Sequence, residues 1–228
     1  MAESKAGFAR MFADTCIANE KFLMSGSRGA YQEVVELVND SIDQLVLWVK
    51  VWKNKGEKVL SRPVFFYVNN VLLPFSYAIM CDLLIGNIPA CYMELRFMLE
   101  ALAKCYIAEA SKSGTFFEIQ ILSLEKYLSE GKVSLSNVLR EFGNMTGLKE
   151  KPLRLWKKIS DLWAHLGGFV SRVVDHVIET GRPPLYSLIL PMEYTDADLP
   201  LLNELERDIG TFREILHEAL SKYRKELM

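Results

Sequence analysis

The chain has 228 residues, half of them hydrophobic and a quarter charged, with a formal net charge of −2. That size can enclose a full core without metal or disulfide staples. The near-neutral balance lacks the basic excess with which dedicated nucleic-acid binders meet phosphates, so a nucleic-acid partner is not indicated by charge.

The four cysteines, Cys16, Cys81, Cys91 and Cys105, form no CxxC pair and no Cys/His cluster at zinc spacing. They read as small buried residues of a cytoplasmic protein, not as a disulfide scaffold or zinc module. Only three Gln occur, in keeping with a thermophilic source.

The opening "MAESKAGFARMFADTC" mixes charges with short apolar steps and has no signal-peptide core. Phe8, Phe12, Cys16 and Leu23 place a first helix over about 4–24. After "SGSRGA", the residues Tyr31, Val35, Val38, Ile42, Leu45, Val49 and Trp52 step by 4,3,4,3,4,3. That is an a/d seam over three heptads, with Ser25 or Ser27 as its cap and Gly56 as its end.

"PVFFYVNNVLLPFSYAIMCDLLIG", Pro63 to Gly86, carries one charge, Asp82. Pro63 suits a first helical turn with Ser61 before it as cap, and Pro74 predicts a kink, because it removes a backbone donor. The segment is long enough to span a bilayer, but Asn69, Asn70, Pro74 and Asp82 make it a poor hydrocarbon span. It therefore reads as a buried central helix, apolar all round.

"GNIP" is a short turn into a helix over 89–110, which makes the two helices antiparallel neighbours. Within it, "MELRFMLEALAK" sets Arg96, Glu100 and Lys104 one turn apart. They form either one exposed charged stripe or an inward polar cluster, which would need partners. "SKSG" ends that helix, a further one covers about 116–130, "SLSNVLREFG" reads as a short capped helix and "NMTGLKEKP" as a loop.

From Pro152, Leu155, Ile159, Leu162, Leu166, Phe169 and Val173 step by 4,3,4,3,4 straight across Gly167-Gly168. A broken helix would reset the phase, so the spacing predicts one helix over 152–180 with the glycines as a notch or kink. At 100° per residue, Lys158, Asp161, His165, Gly168, Arg172, His176 and Glu179 lie within about 60° of one line. The line is either a solvated face with i,i+4 pairs or a polar site. In the second case Asp161 orients His165, and Arg172, beside His176, offers an anion contact.

"GRPPLYSLILPMEYTDADLP" contains Pro183, Pro184 and Pro191, which forbid a regular helix, and reads as a loop packed on the body. A last helix starts near Asp198, with a second seam through Leu202, Leu205, Ile209, Phe212, Leu216, Tyr223 and Leu227. "EILH", Glu214 to His217, is a single E-x-x-H step where a di-iron bundle needs two, so no metal or cofactor is expected. Nucleophile-elbow, phosphate-loop, dinucleotide and zinc-protease motifs are missing from the sequence, which leaves catalysis without positive support. The pattern predicts an all-α, single-domain helical bundle over 1–228, with seven to eight helices, largely antiparallel neighbours.

Two segments together, "LRFMLEALAKCYI" and "WKKISDLWAHLGG", resemble an R-x-x-x-E … S-x-x-x-H pattern. It occurs in broad, uncharacterised prokaryotic helical families, some grouped with HEPN-like domains of phage-defence and toxin–antitoxin systems. The resemblance covers residues 90–180. It implies a helical up-down core, dimer formation and a polar cluster between the two helices, with Arg96, Glu100 and His165 matching and Asp161 standing where the pattern has serine. The HEPN ribonuclease motif, R-x4-6-H with a polar residue after the arginine, is not met. Arg172/His176 and Arg213/His217 are R-x3-H, followed by Val173 and Glu214.

Two functions follow as expectations. One is association, as a homo-oligomer or protein-partner module using spare seams on the 27–54 and 198–227 helices. The other is HEPN-like nucleotide or RNA binding in a cleft between the 89–110 and 152–180 helices, through Arg96, Glu100, Asp161, His165, Arg172 and His176.

Overall fold

The computed structural model describes residues 2–56, 62–110, 126, 129–131, 133–164, 178 and 191–227. Among them the chain is all-helical, with seven helices and no strand. These are α1 (Ala2–Gly26), α2 (Arg28–Lys55), α3 (Pro63–Leu84), α4 (Ile88–Ala110), α5 (Leu135–Thr146), α6 (Lys151–Ile159) and α7 (Leu199–Leu227). The expected helix over 116–130, the Ser61 cap, the Gly167-Gly168 notch and the proline-rich loop up to Leu190 lie outside the described residues.

The centre of the bundle is α4, not α3. Ile88, Tyr92, Leu95, Met98, Leu99, Leu102 and Tyr106 of α4 are buried, packed by α3, α5, α6 and α7. Helix α3 is the one described helix long and apolar enough to cross a membrane. It is not covered on most sides, however, because Asn69, Asn70, Pro74, Tyr77 and Cys81 form an exposed face. Cys81 thus departs from the expectation of buried cysteines, and Cys16 is only partly buried, whereas Cys91 and Cys105 are in the core.

Pro74 acts through the turn before it. Residues Val68–Leu72 form a π-helical turn in which the Leu73 amide donates to the Val68 carbonyl. The wider turn makes room for a proline that cannot donate and would clash with the carbonyl four residues back. A second π turn, Ser160–Ala164, follows α6 directly. It shifts the phase of the seam, so Trp163 is buried while the predicted Leu162 is only partly so.

The seam of α7 folds as its spacing predicts. Leu202, Leu205, Ile209, Phe212 and Leu216 are fully buried, and Tyr223 nearly so, so among the described seam residues up to Tyr223 none is spare. On α2 the register differs. The buried line runs Ala30, Val34, Leu37, Ser41, Gln44, Trp48, rotated by roughly 100° from the heptad seam. Ser41 pays no penalty there because its hydroxyl donates to the Leu37 carbonyl (2.7 Å).

Caps and turns agree with the sequence in part. The Ser134 Oγ accepts the Asn137 amide (3.2 Å) at the start of α5, and Gly56 closes α2. Ser27 precedes α2 without a side-chain cap. Thr195 and Asp198 form a reciprocal capping box on the 3-10 turn that leads into α7.

The α3–α4 turn is pinned by Asn19 of α1. Its Nδ2 donates to the Leu84 and Met192 carbonyls (2.9 and 2.8 Å) and its Oδ1 accepts the Tyr194 amide (2.8 Å). In that turn Gly86 has φ +81°, and a Cβ there would overlap the Met192 carbonyl oxygen. Gly86→Ala therefore meets both an unfavourable backbone region and a backbone clash. Urea unfolding is expected to show a loss of about 1–3 kcal/mol, and an unchanged midpoint would refute this account of the turn.

Candidate functional site

Arg96 and Glu100 sit one turn apart on α4, at the line where α6 crosses it. The Arg96 Nε donates to Glu100 Oε1 (2.8 Å), and the Trp156 Nε1 of α6 donates to the same oxygen (2.7 Å). The Arg96 guanidinium also lies 5.5 Å from the centroid of the Trp156 ring, within cation–π range. Arg96 and Glu100 are thus brought together, half-buried, by a tryptophan that sequence reasoning had not singled out. Only the aromatic richness of "WKKISDLW" hinted at it.

The rest of the predicted line divides at the π turn. Lys158 turns toward α7, where its Nζ pairs with Glu204 (3.2 Å) and with both oxygens of Asp208 (2.7 Å each). Burial raises the Asp208 carboxyl, and the Lys158 ion pair offsets this only in part. Asp161, three residues on, is exposed. His165, Arg172 and His176 lie outside the described residues. Beside Lys158 the interior is aromatic, with Tyr92 stacked on Trp163 at 4.6 Å and 10° between planes.

A second polar group was not foreseen. At the α3–α4 turn Glu94 lies beside Asp82, which accepts a hydrogen bond from Asn87 Nδ2 (2.8 Å). Burial, reinforced by the negative charge and hydrogen bonding of Asp82, pushes the Glu94 carboxyl up to about 8. Its Oε2 is buried with no partner. Near neutral pH the pair therefore holds one proton, the arrangement two adjacent carboxyls adopt when both cannot ionise.

A third group joins α2 to α7. Arg213 donates from Nε to Asp40 Oδ2 (2.7 Å) and from NH1 to Glu33 Oε2 (2.7 Å), and His217 Nε2 lies 2.9 Å from the same Asp40 oxygen. Burial pushes Asp40 up, but the hydrogen bonds from His217 and Arg213 outweigh it and hold the carboxyl below its ordinary value. No group of three or more His, Cys, Asp or Glu with metal-binding geometry occurs among the described residues.

Comparison with known proteins gives no relative from which a role could be carried over: no family model, no curated protein and no solved structure matches.

Glu94 sets a pH dependence. Its folded pKa lies above the ordinary value of 4.5, so its contribution to stability is complete below that value and lost as pH rises through about 8. Glu94→Gln stays neutral throughout. The melting temperature of the variant minus that of the wild type is expected to grow from pH 4.5 to 8 and then level off. A difference independent of pH would show that Glu94 titrates normally.

Proposed function

We propose that the protein works by association, as a homodimer whose copies pair along the outer face of α2. The observation that carries this reading is the rotation of α2. Its heptad seam is only partly used inside the bundle: Val38 is buried and Tyr31 and Leu45 pack on the core, whereas Ile42 and Trp52 of the seam are each 38% exposed and Val46 beside them 47%. Val35, Ile42, Val46 and Val49 follow one another at intervals of 7, 4 and 3, the spacing by which two helices interdigitate.

A second copy fits because self-complementary two-fold pairing needs only one such face. The other exposed apolar residues do not form a seam. Tyr77, Met93 and Phe97 are spread over α3 and α4, and Phe97 already packs on Phe75 in a tilted contact at 4.6 Å. Helix α1 adds exposed Met11, Ile17 and Met24 on the same N-terminal part of the chain.

A second reading, nucleotide or RNA binding between α4 and α6 as the HEPN-like resemblance implies, is favoured by one observation. The helices meet through Arg96, Glu100 and Trp156. Its weakness is that the carboxylate of Glu100 already neutralises Arg96. Fluorescence anisotropy with labelled single-stranded RNA at low salt tests it, and binding unaffected by Arg96→Ala removes it.

Sedimentation equilibrium tests the preferred reading. Wild type is expected to be dimeric at micromolar concentration, and Ile42→Glu/Val49→Glu monomeric with unchanged helical circular dichroism. A wild type that stays monomeric at high concentration, or a variant that still dimerises, overturns it.

A further inference from the structure

Two of the four cysteines lie outside the core. Cys81 of α3 is exposed and Cys16 of α1 is partly buried, whereas Cys91 and Cys105 are enclosed. The path of the chain brings the first two together. Helix α2 runs against α1, since its Tyr31 reaches back to Glu20 (3.2 Å). It also runs against α3, since Trp48 toward its end packs on Phe65 at the start of α3 (6.2 Å between ring centroids). Helices α1 and α3 therefore run the same way, and they are in direct contact. Their ends are held in register by the bond from Asn19 Nδ2 to the Leu84 carbonyl (2.9 Å). Cys16 and Cys81 stand three residues before these two partners, each about one helical turn back along the same contact.

The two thiols also act on each other. Burial pushes the Cys16 thiol up, and the negative charge of Cys81 nearby pushes it further. Cys16 is thus the sheltered member of the pair, and Cys81 is the one that solutes reach.

We infer that Cys16 and Cys81 close into a reversible disulfide when the protein meets a peroxide. The exposed Cys81 sulfur, as thiolate, attacks one peroxide oxygen. The O–O bond breaks, the other oxygen takes up the thiol's proton and leaves as water, and Cys81 becomes a sulfenic acid. The Cys16 sulfur then attacks the Cys81 sulfur. The S–S bond forms, the S–O bond breaks, and the hydroxyl leaves with the Cys16 proton as a second water. Two thiols thereby pass two electrons and two protons to one peroxide. A small thiol reductant reverses the step by exchange. The bond fastens the N-terminal helix to α3 and closes the chain between them into a loop, which restricts the unfolded state. It does not rest on the dimer reading, because both thiols belong to one chain.

Peptide mapping of the native protein tests this. An equal mixture of isotope-labelled and unlabelled chains is treated with hydrogen peroxide, alkylated and analysed by mass spectrometry without reduction. The Cys16 and Cys81 peptides are expected to be linked, with both halves carrying the same label, and to separate on addition of dithiothreitol. Oxidised wild type should melt several degrees above the reduced protein. Cys16→Ser should abolish both the link and that shift, and leave Cys81 as a sulfenic acid that dimedone traps. Cys81→Ser, at an exposed position that leaves the core untouched, should leave Cys16 unoxidised at the same peroxide dose. A missing Cys16–Cys81 link, links mainly between differently labelled chains, or a melting shift that survives Cys16→Ser overturns the inference.

Discussion

Helix α4 is enclosed by four other helices, and it carries charges. The rest of the structure follows from that conflict. A charge taken out of water costs several kcal/mol unless a partner meets it, and two of the neighbours, α6 and α3, bring one. Helix α6 presents Trp156 to the Arg96–Glu100 pair. Arg62, at the start of α3, donates to Glu109 (2.7 Å). Glu94 meets only another acid, Asp82, and is met by a proton. The helices around α4 are thus placed by apolar contact and oriented by these polar answers.

This explains why α4 and α3 exchange the roles expected of them. By composition α3 is the natural centre, since it has one charge in twenty-four residues between Pro63 and Gly86. Hydropathy says how willing a helix is to be buried, not how many neighbours reach it. Helix α3 lies between α2 and α4 and keeps a face with Asn69 and Asn70 exposed, while α4 is covered although it is charged, with Glu100 and Glu109 met by Trp156 and Arg62 and Glu94 protonated beside Asp82. A sequence scan sees the charge and cannot see the partner, which comes from 47 to 56 residues away for Glu109 and Glu100.

What the sequence made legible was local. The all-helical class, the turn at Gly86, the Ser134 cap and the seam of α7 from Leu202 to Tyr223 depend on spacing or on one residue's conformational habit. The Arg96–Glu100 pair was legible for the same reason, being a single turn apart. Two kinds of feature were hidden. One is the π turn: at Ser160–Ala164 it exchanges Trp163 for Leu162 and sends Lys158 and Asp161 to different surroundings, so a line drawn at 100° per residue could not hold across it. The other is a choice between two phases on one helix. Along α2 the seam through Val35, Ile42 and Val49 is the more apolar, yet the line through Ala30, Leu37, Gln44 and Trp48 is the one buried. Its signal, a tryptophan and an alanine at matching positions, was outweighed by the two polar residues between them.

The inverted phase of α2 has an energetic meaning. Turning the helix leaves Ile42, Val46 and Trp52 partly in water, each forfeiting part of the roughly 1.5–3 kcal/mol that full burial of such a side chain contributes. It also places the Gln44 carbonyl where it meets no donor, at about 1–3 kcal/mol. The opposite rotation would repair both defects at once, bringing the seam inward and the amide out. The bundle does not take it, because Trp48 is wedged between Phe65 and Tyr223 at 6.2 and 5.6 Å, and because Arg213 grips Glu33 and Asp40 on the α7 side. Those contacts fix the helix in a state where Ile42, Val46 and Trp52 stay partly in water while the Gln44 amide oxygen stays inside, without a hydrogen-bond partner among the described residues.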